Sequence, residues 1–361
     1  MKKLLMGLTG LAAAVTVAAA IIALPGLMGN NNETVVPEIE EVPIIIELLE
    51  EPPEEMEEEP EDLGPDLTGL ALNPLTGLYI DEELAARRPI AVVINNIRQA
   101  LPQSGIAQAD VIYEVLAEGG ITRMVAVFSE MDSEKIGPVR SNRSYFLDFA
   151  LNHDSIFVHH GSSTAGYTSI RTLGIDNLDG MNIVGAFFRD QSRVMEHSSY
   201  IRSSGIFTEI ENRGLRTEIR EEFRSPFHFL DDDEEIEGEE THEISVPFAP
   251  GSQVGQFEFV PETGQYLRSQ NNTPHIDEYT GEQLAVDNVL IQYTSIRVID
   301  NEGRRDVRLV GEGRGTLHTR GVAIPVRWSC AAHGAPTVWT FEDGSPMRIS
   351  RGKTWICIMG E

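Results

Sequence analysis

Three short segments hold residues whose types and spacing could do chemistry. The first is Gly137-Pro138-Val139-Arg140-Ser141-Asn142-Arg143. It leads into Ser141 to Leu151, where Tyr145, Phe146, Phe149 and Ala150 recur at helical spacing behind Ser141 as a plausible N-cap. Free backbone N–H groups and the helix dipole favour an anion at such a start. Arg140 and Arg143 would add planar, charged donors for a phosphate, a carboxylate or an acidic sugar. The alternative is that both arginines spend their charge on Asp148, Asp154 or Glu118. The second segment is His159-His160-Gly161, followed by Ser162 and Ser163. Neighbouring strand residues point to opposite faces, so only one of the two histidines can face a shared site. It could act as acid, base or ligand, or the pair could simply cap a strand with hydrogen bonds. The third is Arg189-Asp190 with Arg193 and His197, where Asp190 could orient a histidine.

Together these give a candidate anion site of Arg140, Ser141, Arg143, His159, His160, Arg189, Asp190 and His197. His159 or His160, Asp190 and His197 could in principle hold a metal, but their spacing matches no recognised metal signature, and no metal is expected. There is no Gly-x-Ser-x-Gly elbow, no phosphate-binding loop and no dinucleotide fingerprint, so no cofactor is expected.

The elements that must position these residues are legible in the apolar pattern. Ile90 to Ile94, Val111 to Leu116, Thr122 to Phe128 and Ile156 to His159 read as strands, the second and third joined as a hairpin through Gly119-Gly120. A helix is expected from Thr164, capped by Ser162 or Ser163, and another from about Ser204 to Arg213. Asp231 to Glu240 is an acidic run suited to a boundary or exposed loop. After it come short alternating segments: Val289 to Val298, Gly315 to His318, Val322 to Ser329, Thr337 to Phe341 and Thr354 to Ile358. The expected fold class is α+β, with a mixed α/β N-terminal domain over 70–230, an acidic linker over 231–243 and a mainly β domain over 244–361. Trp328, Trp339, Trp355, Tyr266, Tyr279 and Tyr293 in the second half could stack on sugars, or could be core and cross-strand pairs.

The chain has 361 residues and a formal charge of −29. From Glu33 to Asp66 there are fifteen acidic residues and no Lys or Arg, and removing them leaves −14. Residues 29–69 are therefore expected to be a solvated acidic tether. No basic stripe exists to neutralise phosphates, which excludes a nucleic-acid binder. Before the tether, Lys2-Lys3 precedes a stretch from Leu4 to Leu24 without charge. Residues 1–28 read as a retained membrane anchor or a cleaved signal peptide, with the folded part outside the cytoplasm.

Several phrases carry a resemblance: Asn73-Pro74-Leu75-Thr76-Gly77, Arg88-Pro89-Ile90-Ala91-Val92, Ala109-Asp110-Val111-Ile112-Tyr113-Glu114, Glu118-Gly119-Gly120-Ile121-Thr122-Arg123, Ile136-Gly137-Pro138-Val139-Arg140-Ser141, Val158-His159-His160-Gly161, Phe188-Arg189-Asp190 and Gly352-Lys353-Thr354-Trp355-Ile356. In combination they resemble the YerB-like lipoproteins, bacterial surface proteins built from a two-part domain of unknown function. The resemblance covers about residues 70 to 361 and implies a location and an architecture rather than a reaction. Members commonly carry a lipid-modified cysteine after the signal peptide. This chain has no cysteine before Cys330, so the apolar segment itself is the expected anchor.

The leading expectation is a non-catalytic, membrane-tethered envelope module that binds an anionic or glycan-bearing ligand, or an envelope protein. The rival is an extracytoplasmic hydrolase or transferase working at the same residues. A disulfide is also expected between Cys330 and Cys357. Trp328 and Cys330 share a strand face, as do Trp355 and Cys357, and neighbouring strands would let the sulfurs meet.

Overall fold

A computed structural model describes residues 67–251 and 253–361. The expected anchor, and the tether up to residue 66, lie outside the described residues. Within them the fold is mostly strand, with α-helices at Glu82–Ala86 (α1), Phe146–Leu151 (α2), Thr164–Leu173 (α3) and Ser203–Arg213 (α4).

The strands that matter are, in chain order, Ile90–Asn95 (β1), Val111–Leu116 (β2), Thr122–Phe128 (β3), Ile156–His159 (β4), Asn177–Asp179 (β5), Phe187–Arg189 (β6) and Ser199–Ile201 (β7). They continue with Glu243–Pro247 (β8), Val254–Val260 (β9), Gln265–Gln270 (β10), Asn288–Thr294 (β11), Gly311–Thr319 (β12), Val322–Cys330 (β13), Val338–Phe341 (β14) and Thr354–Gly360 (β15).

One large sheet runs from Glu239–Glu240 through β13, β12, β11, β15, β2, β3, β1 and β4 to β5. The C-terminal strand β15 sits between β11 and β2, parallel to both, with Ile356 opposite Leu290 and Tyr113. The two halves of the chain therefore share a single sheet. The N-terminal half is also less regularly mixed than the sequence suggests. Antiparallel β2, β3 and β1 come first, and only β4, α3 and β5 form a parallel strand–helix–strand unit.

Residues on β1 explain why the sheet is central. All six are buried, with Ile90, Val92 and Ile94 in one apolar cluster and Ala91 and Val93 in the other. A strand covered on both faces reads as a continuous apolar run, as this one does. The smaller sheet of β8, β9 and β10 covers one face, with Phe257 edge-on to Trp355 at 5.7 Å. Trp328, Trp339, Trp355 and Tyr266 are all core residues, so none of them offers a sugar platform.

Two local expectations are corrected. Ser141 does not cap a helix. The backbone of 139–143 pairs laterally instead, Arg140 N–H donating to Val93 O and Asn142 N–H to Gly161 O, and α2 begins only at Phe146. The Cys330–Cys357 disulfide is absent, and both thiols are free and buried. The two-residue period does pair each cysteine with its tryptophan on one face. However, β11 and β12 lie between the two strands, and the cysteines belong to clusters on opposite faces of the sheet. At about 4.8 Å per strand the sulfurs are far beyond bonding reach.

Candidate functional site

The site forms where parallel β1 and β4 end. The segment 136–143 crosses the end of β1 through a bridge between Val139 and Ile94. The β6–β7 hairpin stands beside it and brings Arg189 and Ser199 into register. Ligand sites in parallel sheets commonly open at the carboxyl ends of strands.

Four of the expected residues come together here. Arg140 Nη1–H donates to the Glu196 carbonyl at 3.1 Å, while its Nε is buried without a partner. Arg189 Nη1–H donates to the Met195 carbonyl at 2.8 Å, and its Nη2 lies 3.4 Å from His160 Nε2. A guanidinium only donates, so His160 Nε2 is the acceptor and Nδ1 carries the proton. Nδ1–H then donates to Ser199 Oγ at 2.6 Å. Room for the ring depends on Gly180, where a Cβ would come within 2.6 Å of Nδ1. His197 Nδ1 accepts from Asn95 Nδ2 at 2.9 Å, since Asn95 Oδ1 takes the Ile97 N–H. Its proton is therefore on Nε2. Burial, then the Arg189 charge, lowers the pKa of His160; burial, then the Arg140 charge, lowers that of His197. Both rings are neutral near pH 7.

Of the other four, Arg143, His159 and Asp190 are engaged elsewhere, and Ser141 only supports the backbone beneath the site. Arg143 grips Glu118 with two prongs, Nη2–H to Oε2 at 2.9 Å and Nε–H to Oε1. Arg123 reaches the same carboxylate at 3.4 Å. Burial opposes ionisation of Glu118, but its bonds to Arg143 and the two guanidinium charges hold its pKa below the usual carboxylate range. Burial, then the Arg143 charge, brings Arg123 down to about 10. His159 is fully buried, with Nδ1 on Gly161 O at 2.8 Å and Nε2 on Asn177 Oδ1 at 3.2 Å, so it faces no open site. Asp190 touches no histidine. It takes Lys135 Nζ at 2.8 Å and the N–H and hydroxyl of Ser192, which hold it well below the usual carboxylate value. Ser141 Oγ–H donates to the His160 carbonyl at 3.0 Å and so fixes the backbone beneath the ring.

The outcome is a positive patch on an acidic protein. Neither Arg140 nor Arg189 has a carboxylate within 4.0 Å among the described residues, whereas Arg88, Arg123, Arg143, Arg193 and Arg216 all do. Burial, then the Arg143 charge, lowers the pKa of Arg140. Ser199 and the Glu196 carbonyl were not foreseen. Their only sequence hint is closeness to His197, because a hydroxyl and a backbone oxygen carry no motif.

The fold is a two-segment architecture whose halves complete one sheet. The chain belongs to the family described as "Protein of unknown function (DUF3048)", its N-terminal domain matching residues 75–216 and its C-terminal domain residues 244–356. It is 33% identical over 301 residues to "Putative lipoprotein YerB" of Bacillus subtilis (strain 168), covering 82% of this chain and 89% of that one. The crystal structure of the YerB protein from Bacillus subtilis superposes with a TM-score of 0.71 at 33% identity, covering 79% of this chain and 95% of that one.

Proposed function

We propose that this protein is an extracytoplasmic, membrane-tethered module of the cell envelope that binds an anionic group through Arg140 and Arg189. The Lys2-Lys3 start, the uncharged stretch after it and the lipoprotein description of the relative support the location. The binding reading rests on one observation: two neighbouring guanidiniums, each held by a backbone carbonyl and Arg189 also by the neutral His160, with no carboxylate within ion-pair distance of either among the described residues. Charge-assisted bonds to a phosphate or carboxylate would complete both. A hydrolase or transferase gains nothing from the geometry. The partner of His160 Nδ1 is a hydroxyl rather than a carboxylate, and Asp190 turns away.

Co-sedimentation with purified bacterial wall material tests this. The protein is expected to pellet with intact wall and to stay in solution once the phosphate-bearing polymers are stripped with hydrofluoric acid. Arg140→Gln with Arg189→Gln is expected to abolish pelleting while the thermal midpoint holds. Equal pelleting of the double variant would overturn the reading.

A further inference from the structure

A second cluster lies away from the arginines, where the two halves of the chain meet. The loop after β13 docks on α2 through two contacts. Asn152 Oδ1 accepts from Thr337 N–H at 2.9 Å, and Asp148 accepts from His333 Nδ1–H at 2.9 Å and from Gly334 N–H at 3.2 Å. Asp148 is buried. A carboxylate only accepts, so the His333 proton is on Nδ1 and the Nε2 lone pair is free. His333 then lines a cleft of about 310 Å³ with Ser144, Ser169, Thr172, Leu173 and Asp306. Among the described residues the hydroxyls of Ser144, Ser169 and Thr172 and the His333 Nε2 have no protein hydrogen-bond partner and are open to solvent.

The loop is already pinned by Asn152, and by Asp148 with the Nδ1 edge of the ring. The pin does not need the other edge, nor three hydroxyls from α3 and the turn before α2. Hydroxyls that both donate and accept, an imidazole acceptor and the apolar edge of Leu173 match a sugar-like ligand, with the Asp306 carboxylate at the rim already holding Arg297 at 2.7 Å, and the volume sits at the low end of small-molecule sites. We propose that this cleft is a second ligand site, for a neutral polyhydroxylated ligand of monosaccharide size, in which His333 Nε2 accepts one ligand hydroxyl and Asp148 is the positioning residue that fixes the ring. It does not depend on the anion site.

The test is a histidine side-chain nitrogen NMR titration of the protein with N-acetylglucosamine at pH 7.5. His333 Nε2 is expected to shift saturably, with Nδ1 showing the protonated signature throughout. His333→Asn keeps a donor where Nδ1 stood and so preserves the pin. It is expected to keep the thermal midpoint and weaken binding at least about tenfold, followed through α3 backbone amides. Asp148→Asn is expected to release the Nδ1 tautomer and weaken binding without touching the ligand. The absence of a saturable His333 shift, or unchanged affinity in His333→Asn, would overturn the proposal. Neither result bears on Arg140, which phosphate titration reads separately.

Discussion

At the scale of single residues, the sequence showed which side chains could do chemistry but not which were free to do it. Arg140 and Arg143 look equivalent three positions apart, yet Glu118 lies 25 residues before Arg143 in sequence and takes it with both oxygens. His159 and His160 are neighbours, yet His159 is buried while His160 reaches Ser199 and Arg189. Which one faces the site depends on β5 and the β6–β7 hairpin, and no local pattern shows that. The histidines also carry a pH prediction. Burial lowers His153 and His275 to about 3 and His318 to about 4, and lowers His160 and His197 as well. A folded-state value below the unfolded value of about 6.5 means that the fold prefers the neutral ring. Their stabilisation is complete above about pH 6.5 and is lost as pH falls toward 3–4, at about 1.4 kcal/mol per pH unit for each deeply buried ring. The depressed carboxylates Asp154 and Asp179 add their loss only lower, below the ordinary aspartate value near 4. Urea midpoints should be flat from pH 8 to 7 and fall clearly by pH 5.5. A flat profile down to pH 5 would contradict the neutral assignment.

At the scale of elements, period and punctuation worked where packing was local. β1, β2, β3 and β4 appear where the apolar runs placed them, and Ser163 caps α3 by accepting from Gly166 N–H at 3.1 Å. Failure came where partners were distant. Trp328-x-Cys330 and Trp355-x-Cys357 gave the right face for each strand, but no local signal says that two strands separate them. A buried ion pair shows the same limit. Glu114 on β2 and Arg268 on β10 are wholly buried 154 residues apart, with Nη2 3.0 Å from Oε2. Trp355, Asn96 and Thr122 also donate to Glu114, and the guanidinium packs against both aromatic rings, 4.9 Å from the centre of Phe257 and 5.0 Å from that of Trp355. Removing one partner strands a buried charge, whereas removing both does not. Arg268→Met is expected to cost about 3–5 kcal/mol by denaturant titration, and adding Glu114→Gln should recover part of it. Additive losses from the two substitutions would show that the pair is not coupled.

At the scale of the whole molecule, the sequence suggests a mixed N-terminal region followed by a mainly β one, whereas the described residues are mostly strand and β15 joins the two halves in one sheet. That strand is buried through residues 354–358 and has a neighbour from each half, Ile291 and Glu114 flanking Cys357. The same continuity sets the arginine site. The sheet fixes the ends of β1 and β4, these fix the 136–143 segment and His160, and the hairpin then supplies Arg189. The central claim is that Arg140 and Arg189 form one anion site. It is tested most directly by titrating inorganic phosphate at constant ionic strength while following the arginine Nε–H resonances by NMR. The account predicts saturable shifts confined to Arg140 and Arg189, with one shared affinity, and their disappearance in Arg140→Gln. Shifts spread evenly over the arginines, or an unchanged Arg189 response in that variant, would contradict it.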